Sequence, residues 1–216
     1  MDVAQQLLSF LGPIGITLAI SILAFLFGLS LGLPLALAKE YQKQASILVD
    51  VYEKIFRGIP EPVLILMFYL GFSLYLPFPF SNPFFTVVFA LSLRSAANQS
   101  QIFRGAIYGV GNEQMAAAKS LGFTKLSSIT RVIVPQVFIY STPGLGNEYA
   151  LLIKDSAYAF AIGIIDIMKN ADLIRARTYD TITPYIIAAI LYILLTFPVA
   201  TYLDTWGSRR KKKLGL

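Results

Sequence analysis

Long charge-free runs alternate along this chain with short basic connections, and the alternation predicts helices of membrane-spanning length. From Pro13 to Ala38 there is no Asp, Glu, Lys or Arg, and the run stops at "KEYQK". A hydrocarbon layer about 30 Å thick takes roughly 20 apolar residues of helix, so this run predicts a retained span. It is too long for a signal-peptide core and lacks a basic flank before it. The next charge-free run, Pro62 to Leu93, is too long for one helix at about 1.5 Å per residue, and "LPFPFSNP" divides it with three prolines and an asparagine. Spans are therefore expected at roughly 60–76 and 84–108. Apolar character returns near Val132 and continues to about Ile165, and a last charge-free run covers Thr181 to Leu203. The expectation is an all-α, polytopic membrane protein with five transmembrane helices.

An odd number of spans puts the termini on opposite sides, and the excess of Lys and Arg in cytoplasmic connections chooses between the two orientations. Residues 39–57 carry Lys39, Lys43, Lys54 and Arg57; residues 104–131 carry Arg104, Lys119, Lys125 and Arg131; "RRKKK" occupies 209–213. Residues 1–12 and 77–83 have no Lys or Arg, and only the 166–180 connection dissents, with Lys169, Arg175 and Arg177 set against three aspartates. The N-terminus is expected outside and the C-terminus in the cytoplasm of a cell-membrane protein.

Composition agrees: 56% of the 216 residues are hydrophobic and 14% charged, with a mean hydropathy of +0.66, beyond what a soluble domain usually shows. The formal charge of +6 reads as cytoplasmic anchoring, with the basic tail meeting anionic membrane lipid and not nucleic acid. There is no Cys and no His, which removes disulfides, thiol nucleophiles, imidazole bases and the usual zinc ligands. A GxxxxGK[ST] phosphate loop is also missing, so nucleotide chemistry would have to come from another chain.

Between the third and fourth predicted spans lies "EQMAAAKSLGFTKLSSITRVIVPQ", Glu113 to Gln136. "EQMAAAKSL" favours a helix, Gly122 supplies a stop, and Thr124 can begin a second short helix. Ala116, Ala117 and Ala118 would let another protein's backbone approach closely, which suits docking. The bland reading is an interfacial helix resting on lipid headgroups.

These residues resemble the "EAA" loop of the membrane subunits of ATP-binding-cassette importers, with "AAAKSLG" followed by "VIVPQ" at the family's spacing. "FRGIPEPVLILMFYLG" at 56–71, "QIFRGAI" at 101–107 and "GNEYALLIKDSAYAFAI" at 146–162 are similar to segments of the polar amino-acid branch of that family. The four blocks occur in the family's order, and the resemblance extends from about residue 13 to 206. It implies the type I importer permease fold, a single permease domain over 1–216 with a coupling loop at 110–131 and a basic tail at 207–216. It also implies a cytoplasmic ATPase that docks Glu113, Gln114, Ala116, Ala117, Ala118, Leu121 and Gly122, with ATP and Mg bound there and no cofactor on this chain. A second permease copy or similar permease and an extracytoplasmic solute-binding protein complete the expected assembly, and the solute is a polar amino acid. The chain departs from the pattern at Ala116, where the family has glutamate, and at Asn98 and Gln101, where tyrosine and glutamate are usual. Glu113, three positions earlier, falls on nearly the same helical face as Ala116 and can supply the missing carboxylate.

Charges within the predicted bilayer mark a pathway or a partner. Arg94 falls near the middle of the third predicted span. In the fourth, Asn147 and Lys154 are seven apart, as are Glu148 and Asp155, which gives two neighbouring polar stripes on a helix. An amino acid needs cation and anion close together, and Arg94, Asn98, Asn147, Glu148, Lys154 and Asp155 offer them; the alternative is that they snorkel or pair with one another. Glu61 is expected near the cytoplasmic end of the second span, where water reaches it, with a direct solute contact as the alternative; Arg57 and Arg104 are expected as anchors or internal ion-pair partners. Pro143, Gly144 and Gly146 are expected to interrupt the fourth span, either at a solute site or at a junction with an interfacial segment. An ATP-independent channel or secondary transporter would share this polytopic character but has no reason to own the docking loop; a membrane enzyme would need a catalytic constellation that does not stand out.

Overall fold

The computed structural model describes residues 3–214, and it is helical throughout with no strand among them. Met1, Asp2, Gly215 and Leu216, the ends of the expected 1–216 domain and of the 207–216 tail, lie outside the described residues. A short helix, Val3–Ser9 (α1), leads into Leu11–Tyr41 (α2), which ends where Gln42 turns to extended backbone. Lys43–Gly58 (α3) and Glu61–Leu66 (α4) follow, with Pro60 between them. A π-turn, Met67–Gly71, a 3₁₀ turn, Phe72–Leu74, and the short Pro77–Phe80 (α5) make the connection to Pro83–Val110 (α6). Asn82 caps α6, its Oδ1 accepting from the amides of Phe84 at 3.0 Å and Phe85 at 3.4 Å, with Pro83 in the first turn where no amide is needed.

Asn112–Ser120 (α7) and Lys125–Ser128 (α8) form the connection read above as a docking loop. Gly122, at φ +83°, ends α7: the amide of Phe123 donates to Ala118 O at 3.1 Å and that of Gly122 to Lys119 O at 2.9 Å. This paired closure requires a left-handed residue, hence the glycine. Thr124 then caps α8 through the amide of Ser127. Val134–Asp155 (α9), a 3₁₀ segment Ser156–Ile162, Ile167–Thr178 (α10) and Thr183–Leu214 (α11) complete the chain. The basic residues 209–213 continue α11 as helix.

Helix α6 is the centre. Its contact with α2 is closest at Gly28 and Gly32, where an added Cβ would lie 2.7 Å from Ser95 Oγ and 2.9 Å from Gln99 Cβ respectively. Glycines four apart make one smooth face, which lets two backbones approach in the manner of small-residue packing in membranes. Apolar packing of Ile20, Ala24, Leu64, Ile65, Val87 and Leu91 fills one end of this contact, and Ala36, Phe103, Ile107, Ile133 and Val137 the other.

Two findings depart from the expectations. By length and hydropathy, two helices can cross a membrane, Ala4–Tyr41 and Thr183–Lys213, or three if Lys43–Gly58 and Glu61–Leu74, bent by 100°, count as one span. The expected count of five does not follow from these criteria, because α6 and α9 carry Arg94, Asn98, Gln99, Arg104, Glu148 and Asp155, which lower their hydropathy; Gln99 and Glu148 are buried and the other four half-buried. The second departure is that α9 runs unbroken through Pro143, Gly144 and Gly146. Proline deprives the carbonyl four residues back of its amide partner. That carbonyl, Ile139 O, instead accepts the Thr142 hydroxyl at 2.9 Å. The glycines serve packing: a Cβ on Gly144 would meet Ile102 at 2.7 Å, and one on Gly146 would lie 3.3 Å from Ala200 O of α11.

Candidate functional site

Polar side chains gather where α3, α4, α6 and α9 meet. Positions 94 and 98 share a face of α6, one turn apart, while 148 and 155 share a face of α9, two turns apart. The bend at Ile59–Pro60 adds the end of α3 and the start of α4 to the same place. Arg94 is held between two carboxylates: it pairs with Glu61 and, through Nη1, with Asp155 Oδ2 at 2.7 Å. One turn on, Asn98 Nδ2 donates to Glu148 Oε2 at 3.1 Å, and its Oδ1 accepts from Arg57 Nε at 3.0 Å. Glu148 is 2% exposed, and its Oε1 has no hydrogen-bond partner among the described residues. Gln99, next to Asn98 in α6 and fully buried against α2, donates to Phe25 O and Ser95 Oγ and leaves its own Oε1 unpartnered among the described residues. Buried oxygens without donors cost about 1–3 kcal/mol each, more when charged, so the protein holds acceptor capacity here that it does not itself use.

Four of the six pathway residues expected from sequence, Arg94, Asn98, Glu148 and Asp155, are thus brought together. Asn147 and Lys154 are not. Both are exposed, and Asn147 faces a shallow groove against Phe197, Thr201 and Asp204 of α11. The two stripes lie about 100° apart around α9, and only one of them turns toward α6.

A second polar cluster joins the ends of α2, α3 and α6 nearer the docking loop. Glu53, also 2% exposed, accepts from Lys39 Nζ at 2.9 Å, Ser100 Oγ at 2.8 Å, Gln101 Nε2 at 3.3 Å and Arg104 Nη2 at 3.1 Å, while Lys39 also pairs with Asp50. Arg104 is an internal ion-pair partner, one of the two roles expected of it. Neither Glu53 nor the role of Glu61 was singled out from sequence. For Glu53 the signal was there: it follows Val49 by four and precedes Phe56 by three, a charge on the apolar stripe of α3.

In the loop, Glu113, Ala116, Ala117, Leu121 and Gly122 are exposed, and Leu121 is 79% so. Ala118 is buried, and Gln114 Oε1 accepts from Gln136 Nε2 at 3.4 Å. Lys125 Nζ donates to Tyr41 O at 3.0 Å and sits 5.7 Å from the Tyr41 ring, which ties the loop to the end of α2. The exposed face combines small Ala116 and Ala117 with large apolar Leu121 and Leu126.

Asp166 caps α10 from the 166–180 connection: Oδ1 accepts the Lys169 amide at 2.8 Å and Oδ2 the Tyr192 hydroxyl at 3.3 Å. Burial pushes its carboxyl up to about 6, and the hydrogen bonds only partly offset this.

Residues 24–212 match the family described as binding-protein-dependent transport system inner membrane component. The arginine transporter permease ArtQ of Haemophilus influenzae is 34% identical over 188 residues, covering 83% of each chain. The ArtQ of Bacillus subtilis is 34% identical over 200 residues, covering 92% of this chain and 90% of that one. A crystal structure described as an amino acid ABC transporter with histidines superposes with a TM-score of 0.81 at 32% identity, over 95% of this chain and 94% of that one. With a family match over most of its length, relatives that are transport permeases and an all-helical fold shared with one of their structures, the chain belongs to the binding-protein-dependent transport system inner membrane components, as a permease subunit and not an enzyme.

Proposed function

We propose that the Asn98–Glu148 pair, flanked by the Glu61–Arg94–Asp155 triad, is where this permease contacts its solute. The chain is the membrane permease of an ATP-driven importer of polar amino acids, with ATP hydrolysed on a separate partner chain. The observation that carries the site is the Glu148 carboxylate: buried, bonded on one oxygen to Asn98 and open on the other. A buried carboxyl left half-satisfied is costly to the resting protein and ready for a cationic group of a solute.

Around this site the chain crosses a cell membrane five times, through α2, the bent α3–α4 pair with its π-turn, α6, α9 and α11, with the N-terminus outside and the C-terminus in the cytoplasm. Polar α6 and α9 are shielded from lipid by α2 and α11, which supports counting them as spans despite their low hydropathy. A second permease, this chain or a similar one, faces the first; an extracytoplasmic binding protein delivers the solute, and the basic end of α11 meets anionic lipid. The α7–α8 loop docks the cytoplasmic ATPase, which binds ATP and Mg, through Ala116, Ala117 and Leu121, with Glu113 supplying a carboxylate at the rim.

The test is uptake and solute-stimulated ATP hydrolysis by the permease–ATPase complex in lipid vesicles with loaded binding protein. Glu148→Gln is expected to cut stimulation at least tenfold. A Glu148→Gln complex with undiminished solute dependence rules the site out. Loop disruption at 113–122 is expected to abolish coupling while leaving the complex able to bind solute.

A further inference from the structure

Recognition of an amino acid at the site proposed above needs a cation for the carboxylate as well as an anion for the ammonium or basic side chain. Arg94 cannot serve freely, because Glu61 and Asp155 already occupy it from two sides. Lys154 is exposed, acts on Asp155 only at longer range, and forms no ion pair within bonding distance among the described residues. Arg57 is different. It lies in the last turn of α3, immediately before the 100° bend, and its Nε donates to Asn98 Oδ1 at 3.0 Å. No carboxylate pairs with it among the described residues, and its side chain is exposed in the single chain.

We infer that Arg57 is the cation that receives the solute's carboxylate, aimed at the Glu148 site by its bond to Asn98. The inference rests on the site reading above. One amide links the two ends: Asn98 accepts from Arg57 on its oxygen and donates to Glu148 from its nitrogen. The two hydrogen bonds of that one amide put Arg57 and Glu148 at the same site. A zwitterion bound there would set its cationic end on Glu148 and its carboxylate on the donors of Arg57 that Asn98 does not use. A guanidinium held by Nε keeps its two terminal nitrogens available, the geometry that binds a carboxylate on two oxygens at once.

Glu53 makes this aim firm. It sits one turn before Arg57 on α3 and ties that helix to Lys39 of α2 and to Ser100, Gln101 and Arg104 of α6. Arg57 therefore extends from a fixed base, and the order it needs on binding a solute is partly supplied in advance.

The experiment is calorimetric binding to the purified permease–ATPase complex in lipid discs, without binding protein, so that only the membrane site is read. The probes are L-arginine, L-histidine and L-glutamine, each beside its α-carboxamide, which lacks the negative charge. The unaltered complex is expected to bind at least one free acid about tenfold or more tighter than its amide. Arg57→Met is expected to shrink that preference to within about threefold by weakening the acid alone, and Arg57→Lys to restore part of it. Equal weakening of acid and amide in Arg57→Met, or collapse of the preference in Lys154→Met instead, overturns the inference while the site stands. If Asn98→Leu and Glu148→Gln leave every affinity unchanged, or none of the three acids binds, the site itself fails and the inference falls with it.

Discussion

Glu53 and Glu148 are both 2% exposed, yet one has four donors and the other has one. Around Glu53 two cations and two neutral donors close every approach, so the carboxylate locks three helices together. Around Glu148 the Asn98 amide donates, the Ser95 hydroxyl lies close by without meeting hydrogen-bond geometry, and Oε1 has no bonded partner among the described residues. The difference separates a carboxylate built into the fold from the one proposed above to meet the solute: a fully satisfied network adds rigidity, while a half-satisfied one costs stability that binding can return.

Removing each carboxylate should break the two regions in opposite ways. Glu53→Ala leaves Lys39 and Arg104, 10% and 19% exposed, without their shared partner. Loss of about 3 kcal/mol is expected by equilibrium unfolding in detergent, the lower end for a broken buried pair because both cations keep some water. Asp166 offers an intermediate case, capped but poorly hydrated. Its folded value near 6 exceeds the unfolded value of about 4. The native state therefore holds the extra proton between these pH values, and stability falls as pH rises from 4 through 6, by about 2 kcal/mol. Asp166→Asn, which keeps the cap, is expected to flatten that slope, measured as unfolding free energy from pH 4 to 7.5; an unchanged slope assigns the pH dependence to other groups.

Gly32→Ala tests how closely α2 must approach α6 for the Glu53 lock to close. The added Cβ would meet Gln99 Cβ at 2.9 Å and Ala96 O at 3.0 Å. A cost of about 1–3 kcal/mol is expected, and a neutral result means that the helices separate without strain. The smallest effect on stability belongs to Glu148→Gln, within about 1 kcal/mol or slightly stabilising, because an unpaired buried charge is lost. Strong destabilisation there would make Glu148 a second Glu53.

Much of this was legible along the chain. The span expected at 84–108 and the helix expected from Glu113 to Leu121 are found at 83–110 and 112–120, and the glycine stop at Gly122 and the Thr124 cap followed from local signals that act within one or two turns. Arg94, Asn98, Glu148 and Asp155 stood out because a charge or amide in an apolar run has few places to go. Asn147 and Lys154 stood out equally and face elsewhere, since a spacing of seven tells which residues share a stripe but not which stripe turns inward. The expected break at Pro143 failed for a local reason, the Thr142 hydroxyl on Ile139 O, that residue type alone does not reveal.

What the sequence by itself determined is the membrane character, the helices, the short-helix connection at 112–128 and the set of polar residues within the apolar runs, because hydropathy, capping and turn chemistry are short-range. Only the tertiary structure decided which charges neutralise each other and which stay open. Arg94, Arg57, Glu53 and Glu148 look alike as isolated charges, and their roles come from partners 14 to 61 residues away, brought into contact by two glycines on α2 and a bend at Pro60.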